Sequence, residues 1–294
     1  MQRDLKGKVA IITGASSGIG AATARAMARA GIDVVLVARR GEKLELVAHS
    51  VRAIGRKAHV IVDDVADSAH AARVLDEATR VFGKFDIVFA NAGYGMERPI
   101  HEMNDDEIRT MFEVNFFASL TLVRAAANEL LRCGRGGHLL MCSSCVSKFS
   151  IPGHGLYAAT KAAQESVCRA MRFELAHADI EVASVHPVTT TSEFYERSAS
   201  RSGLPAGDVP EHAPRWFIQT PDRVASAVVA CLKRPRSEVW TSFTVRMSAA
   251  LFTLFPCILD VVMRREARRQ RAEKLRRGQC ESAPVQPAAS RYSS

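Results

Sequence analysis

The sequence lacks several features that would point away from an ordinary globular protein. Met1 to Lys6 holds no apolar core, so no secretory signal is expected. The apolar stretch 248–263 is 16 residues long and contains Pro256 and Asp260, short of the ~20 residues that span a bilayer. Seven cysteines show no Cys/His ligand spacing. The single C-x-x-C, Cys142 and Cys145, follows an apolar run without a redox-type helix start, so these thiols read as small packing groups and no metal is expected. An odd count fits a reducing compartment, and a cytoplasmic location is expected. Net positive charge is scarce outside the tail. Of the net +9, residues 264–277 carry +6 from eight Lys/Arg and two Glu, leaving +3 for the rest. A body-wide nucleic-acid surface is therefore excluded.

What is present is a chain of 294 residues, 47% hydrophobic and 24% charged, enough to bury a large core without metal or disulfide staples. Short apolar runs at 8–13, 34–37, 58–62, 85–90, 138–142 and 180–185 predict buried strands, with a weaker seventh at 238–241. Helical patterns fill the gaps at 18–30, 42–54, 68–82, 105–131, 156–176 and 221–233. Continuous apolar strands alternating with amphipathic helices predict an α/β fold, a doubly wound parallel sheet covered on both faces. Its ligand crevice lies at the carboxyl ends of the strands. Residues 188–219 break the alternation and read as a long substrate loop or lid, with a solvated linker as the alternative.

Two features mark that crevice for a dinucleotide. Thr13 to Gly20 reads TGASSGIG between the first strand and first helix. Gly14 permits the turn, Gly18 lets backbone approach a pyrophosphate, and Gly20 allows close helix–strand packing; Ser16, Ser17 and Ile19 complete the loop at the helix N-terminus. After the second strand, where an NAD site places a carboxylate for the ribose 2′-hydroxyl, stand Ala38, Arg39 and Arg40. Guanidinium groups suit a 2′-phosphate, so NADP(H) is expected over NAD(H), with Arg39 leading and Arg40 supporting. A solvated arginine pair is the bland alternative.

Tyr157 and Lys161 are spaced i, i+4 at the start of a helical pattern and share one face. A free phenol, with a pKa of about 10, is a poor acid–base at neutral pH; a neighbouring ammonium, reinforced by an oxidised nicotinamide, favours the phenolate. Ser143 and Ser144 follow the fifth strand, where a hydroxyl is placed to hold a substrate oxygen. Asn91, Ala92 and Gly93 close the fourth strand with a small turn that leaves room for cofactor, and Asn115 is an amide in an apolar helical stretch that needs partners.

This ordered set, TGASSGIG, Asn91-Ala92-Gly93, Asn115, Ser144 and Tyr157-Ala158-Ala159-Thr160-Lys161, resembles the short-chain dehydrogenase/reductase family in its compact single-domain branch, over roughly residues 5–242. The resemblance implies a Rossmann-like seven-stranded sheet in the order 3-2-1-4-5-6-7 and NAD(P)(H)-dependent interconversion of alcohol and carbonyl. It implies an Asn115-Ser144-Tyr157-Lys161 tetrad, choosing Ser144 over Ser143 by its spacing to the tyrosine. Lys161 then also holds the nicotinamide ribose, Asn115 anchors a proton-relay water, and Asp64 and Val65 meet the adenine. A homo-oligomer, dimer or tetramer, is implied as well. One departure stands out: the family's Pro-Gly after the sixth strand is Pro187-Val188 here, which bears on nicotinamide docking, while Ser192 keeps the later hydroxyl.

The expected substrate lining (Tyr94, Met96, Val146, Phe149, Phe194 and Trp216) is mostly apolar and points to a hydrophobic carbonyl or alcohol. The expected organisation is a catalytic domain over 1–242, an apolar-then-basic helical extension over 243–278 and a disordered tail over 279–294. Residues 248–277 are a candidate contact with a membrane surface; a helix packed on its own domain or on a second subunit is the alternative. A cofactor-binding sensor or scaffold with little turnover is the rival to the enzyme reading.

Overall fold

The structure, a computed structural model, describes residues 2–203 and 217–276. Trp216 and the tail 279–294 lie outside the described residues. Seven strands, β1 (Val9–Thr13), β2 (Asp33–Ala38), β3 (Ala58–Val62), β4 (Ile87–Ala90), β5 (Gly137–Cys142), β6 (Ile180–His186) and β7 (Glu238–Trp240), form one sheet in the order β3-β2-β1-β4-β5-β6-β7. Every pairing is parallel, as in Ile11 opposite Val35 and Val88. The order reverses between β1 and β4, and this switch point opens a crevice at their carboxyl ends.

The period of two along each strand splits the core into two layers. Ala10, Ile12, Val34, Leu36 and Phe89 face α1 (Gly18–Arg29), α2 (Gly41–Ala53) and α8 (Pro221–Lys233). Ile11, Val35, Val37, Val88 and Leu139 face α3 (His70–Phe82), α5 (Ala118–Arg132) and α6 (Gly155–Glu174). The third strand departs from expectation. As the sheet edge, β3 is half-buried rather than buried, and Val62 is 61% exposed.

The pattern read as one helix over 105–131 is three pieces. α4 (Asp105–Phe112) starts on a capping box between Asn104 and Glu107. A π-turn at Glu113–Phe117 then precedes α5. Such a turn inserts one residue and frees backbone carbonyls from their usual donors, and it commonly sits at functional sites. Asn115, fully buried, is at its centre. The segment 188–219 is not structureless: α7 (Glu193–Ser202) occupies part of it, held at one end by the Thr190–Gln219 bridge.

Past the sheet come α9 (Phe243–Leu254) and α10 (Pro256–Arg276), bent by 110° at Phe255. Proline at position 256 forces the preceding residue out of helical geometry, and Phe255 sits at φ −130°, ψ 75°. Val188, the residue in place of glycine, buries its side chain against Cys145 and Val245, so it anchors α9 to the sheet.

Candidate active site

A cleft of about 1190 Å³ opens at the carboxyl ends of the strands. Among the described residues, every site residue expected from the sequence lines it except Gly20 and Asn115, which lie directly behind its wall. The wall at the glycine turn is packed too closely for side chains. A Cβ on Gly20 would lie 2.4 Å from the Gly14 carbonyl oxygen, and one on Gly14 would lie 3.0 Å from Ala92 Cα. One on Gly93 would lie 3.0 Å from Asn115 Oδ1. Gly14 and Gly18 also sit at positive φ, 65° and 54°. Asn91 is committed to shaping this wall: its Nδ2 donates to the Thr13 carbonyl at 3.0 Å, while Thr13 Oγ1 accepts from the Asn91 and Ala92 amides.

At the end of the cleft beside β2, the two arginines have different partners. Arg40 reaches back over the glycine turn, with Nη2 at 2.9 Å from Ser16 Oγ and 2.8 Å from Ser17 Oγ, and Nη1 at 2.6 Å from Glu193. Arg39 is 63% exposed and only 3.4 Å from Asp64. Burial raises the Glu193 carboxyl, but Lys43 and Arg40 outweigh it and hold the pKa at about 2. The neighbouring Asp63 is a structural carboxylate, paired with buried His70 and with Arg73.

At the reacting end, β5 delivers the two serines and α6 the tyrosine and lysine. Ser143 Oγ donates to the Lys161 carbonyl at 2.8 Å and is spent on packing. Ser144 faces the phenol of Tyr157. Lys161, 3% exposed, donates to the Cys142 carbonyl at 2.7 Å, and its Nζ lies 5.6 Å from the Tyr157 ring centroid. Burial drives both groups toward neutrality. It pushes the Tyr157 phenol well above its ordinary value, with the Ser144 hydroxyl working the other way, and brings Lys161 down to about 8. Burial is thus the largest influence on the phenol.

Asn115 holds the wall rather than facing the cleft. Its Oδ1 accepts from the Tyr94 amide, and its Nδ2 donates to the Tyr94 carbonyl and to Thr160 Oγ1. Its backbone carbonyl, freed by the π-turn, accepts from Gln164 Nε2, and Gln164 Oε1 accepts from Lys161 Nζ at 3.2 Å. Gln164, fully buried, therefore links the lysine to the asparagine carbonyl. The sequence reading missed it. Its position three residues after Lys161 on one helix face was the available signal.

A second missed network fixes the serine loop. Ser147 Oγ donates to Glu165 at 2.7 Å, and Lys148 pairs with Glu165 and Glu238. His186, fully buried, stacks on Trp240 at 4.6 Å and reaches the Ser144 carbonyl at 3.1 Å. Over the mouth, Phe194 packs on Tyr157 with centroids 5.7 Å apart, and Arg201 covers the Tyr94 ring at 3.8 Å.

Comparison with known proteins agrees with this geometry. The short chain dehydrogenase family description matches residues 8–202. An uncharacterized oxidoreductase of Listeria innocua is 31% identical over 246 residues, covering 82% of this chain and 96% of that protein. An alcohol dehydrogenase from the archaeon Thermococcus sibiricus, solved with 5-hydroxy-NADP, is 32% identical at TM-score 0.69, covering 79% of this chain and 95% of that one. A 7α-hydroxysteroid dehydrogenase solved with NADH and 7-oxo glycochenodeoxycholic acid is 27% identical at TM-score 0.71, covering 80% and 93%.

Gln164→Leu removes the acceptor from a buried ammonium and the donor from a buried carbonyl, so it is expected to lower stability by ~1–3 kcal/mol. Urea unfolding of the two proteins at neutral pH reads the difference; an unchanged midpoint would mean that the amide carries no link.

Proposed function

The chain belongs to the short-chain dehydrogenase/reductase family, and from that membership we propose that this oxidoreductase of alcohol and carbonyl groups uses NADP(H) in preference to NAD(H) and acts on a hydrophobic substrate. The observation that carries the reading is the meeting of Ser144, Tyr157 and Lys161 in the same cleft as the glycine turn.

In this reading Tyr157 is the general acid in reduction and the general base in oxidation, exchanging a proton with the substrate oxygen. Ser144 donates to that oxygen and orients it. Lys161 stabilises the phenolate and holds the nicotinamide ribose; Asn115 keeps Tyr94 and the α5 turn in place behind it. The bound nicotinamide supplies or accepts the hydride. Ser16, Ser17, Gly18 and Ile19 face the pyrophosphate from the helix N-terminus, Asp64 and Val65 lie toward the adenine, and Ala92, Gly93, Pro187 and Val188 border the nicotinamide half.

The preference for NADP(H) rests on charge. Ala38 offers no carboxylate to repel a 2′-phosphate, and Arg40 is already aimed across Ser16 and Ser17, with Arg39 beside it. Glu193 pairs with Arg40 and Lys43 at the same end of the cleft. The substrate end is apolar, with Met96, Val146, Phe149 and Phe194 along the cleft. The rival reading, a sensor with little turnover, gains no support from a site in which all four tetrad positions are filled.

Two outcomes test this. Tyr157→Phe is expected to cut NADPH oxidation against a carbonyl panel by at least ~100-fold while leaving NADPH binding intact; equal turnover by the variant rejects the assigned acid. Arg40→Ala combined with Arg39→Ala is expected to weaken NADPH by roughly 10–100-fold, about 1.5–3 kcal/mol for charge-assisted contacts, and NADH far less. Fluorescence titration with both nucleotides reads it, and an unchanged ratio refutes the clamp.

A further inference from the structure

α9 and α10 carry an apolar face that no described residue of the chain covers. One side of α9 is spoken for: Val245 and Ala249 are buried, and Phe252 packs edge-on against Phe149 with ring centroids 5.6 Å apart. The other side repeats at helical spacing, with Phe243 74%, Met247 51%, Leu251 42% and Leu254 73% exposed. Phe255 continues it at the bend, and Ile258, Val261 and Val262 extend it along α10. A contiguous patch of large apolar side chains is a contact surface rather than ordinary solvated exterior. Positive charge begins where that face ends, with Arg264, Arg265 and Arg268 exposed, in a run of net +6 over residues 264–277.

We propose that this α9–α10 surface docks on an anionic lipid bilayer, lying in the headgroup plane rather than crossing it. No single described helix is long and apolar enough to cross a membrane, and the apolar pair is bent by 110°. α9 and the apolar first turns of α10, at that angle, place their apolar face into the acyl boundary while the arginines stay level with lipid phosphates. Asp260 is consistent with this, since it falls two residues from both Ile258 and Val262, on the opposite side of α10. A second copy of the chain is the poorer occupant. A two-fold contact through the same face would bring two strongly positive runs together. Charge complementarity therefore selects lipid phosphate. The surface also borders the cleft: Phe149, on which α9 packs, and Met263 of α10 both line its wall.

The test uses the full chain with its cofactor, floated with phosphatidylcholine vesicles and with phosphatidylcholine–phosphatidylserine vesicles. The expected result is binding to the anionic vesicles at least ~10-fold above the neutral ones, weakened by high salt. Leu251→Glu with Leu254→Glu is expected to abolish flotation while turnover of a small water-soluble carbonyl is unchanged. Arg264→Glu, Arg265→Glu and Arg268→Glu together are expected to remove the anionic preference. Failure of the unsubstituted protein to float overturns the proposal, as does equal flotation of the leucine variant. An oligomer that dissociates in the leucine variant while vesicles are ignored also overturns it, and assigns the face to contact between copies.

Discussion

A phenol and an ammonium, both driven toward neutrality by burial, are the constraint around which the site is built. Lys161 is buried and Tyr157 is half-buried beside it, which costs free energy unless each finds partners. Here the lysine finds the Cys142 carbonyl and the Gln164 amide, while the phenol finds Ser144. The phenol's ordinary range is out of reach of neutral pH, and burial moves it further out. Positive charge near the phenol is what brings ionisation back. In the proposed mechanism Lys161 supplies part of it, and an oxidised nicotinamide ring beside it would supply the rest, tying proton transfer to the state of the cofactor.

The rest of the fold holds that pair still and closes it off. The parallel sheet brings the ends of β1, β4, β5 and β6 to one edge, and the π-turn turns the Asn115 carbonyl toward α6. Glu165 and Lys148 tie the serine loop to the helix that carries the tyrosine and lysine. α7 spans both ends of the cleft, with Glu193 on Arg40 and Lys43 at one side and Phe194 on the Tyr157 ring at the other. Val188 resolves the one departure from the family pattern in packing terms. Its side chain is turned against Cys145 and α9, so the C-terminal extension is anchored through the very position that borders the nicotinamide half of the cleft.

Much of this was legible in the residues. Strands covered on both faces must be apolar at every position, so β1, β2, β4, β5 and β6 announce themselves; α8 was recovered at both ends because Pro221 opens it and its apolar period is regular. The glycine turn and the Tyr157–Lys161 spacing pointed to one cleft, and the structure brings them to one. The remainder was hidden for physical reasons. A π-turn adds one residue without disturbing an apolar pattern, so 105–131 read as continuous. Edge position depends on strand order, which composition does not encode, so β3 looked as buried as its neighbours. α7 is rich in Ser, Arg and Glu and is held by ion pairs rather than by a large apolar face. Gln164 carried no motif of its own, because only the fold shows that its face of α6 is sealed, and that Arg40 folds back over the glycine turn depends on side-chain geometry that spacing does not encode.

The most direct measurement is the phenolate absorbance of Tyr157 as cofactor is added at mildly alkaline pH, read as the difference between the protein and its Tyr157→Phe variant. The account predicts little phenolate in the cofactor-free protein and with NADPH, and a clear rise on adding NADP⁺. A phenolate signal that is the same in all three states would contradict it, because Tyr157 would then not be the group whose ionisation the cofactor controls.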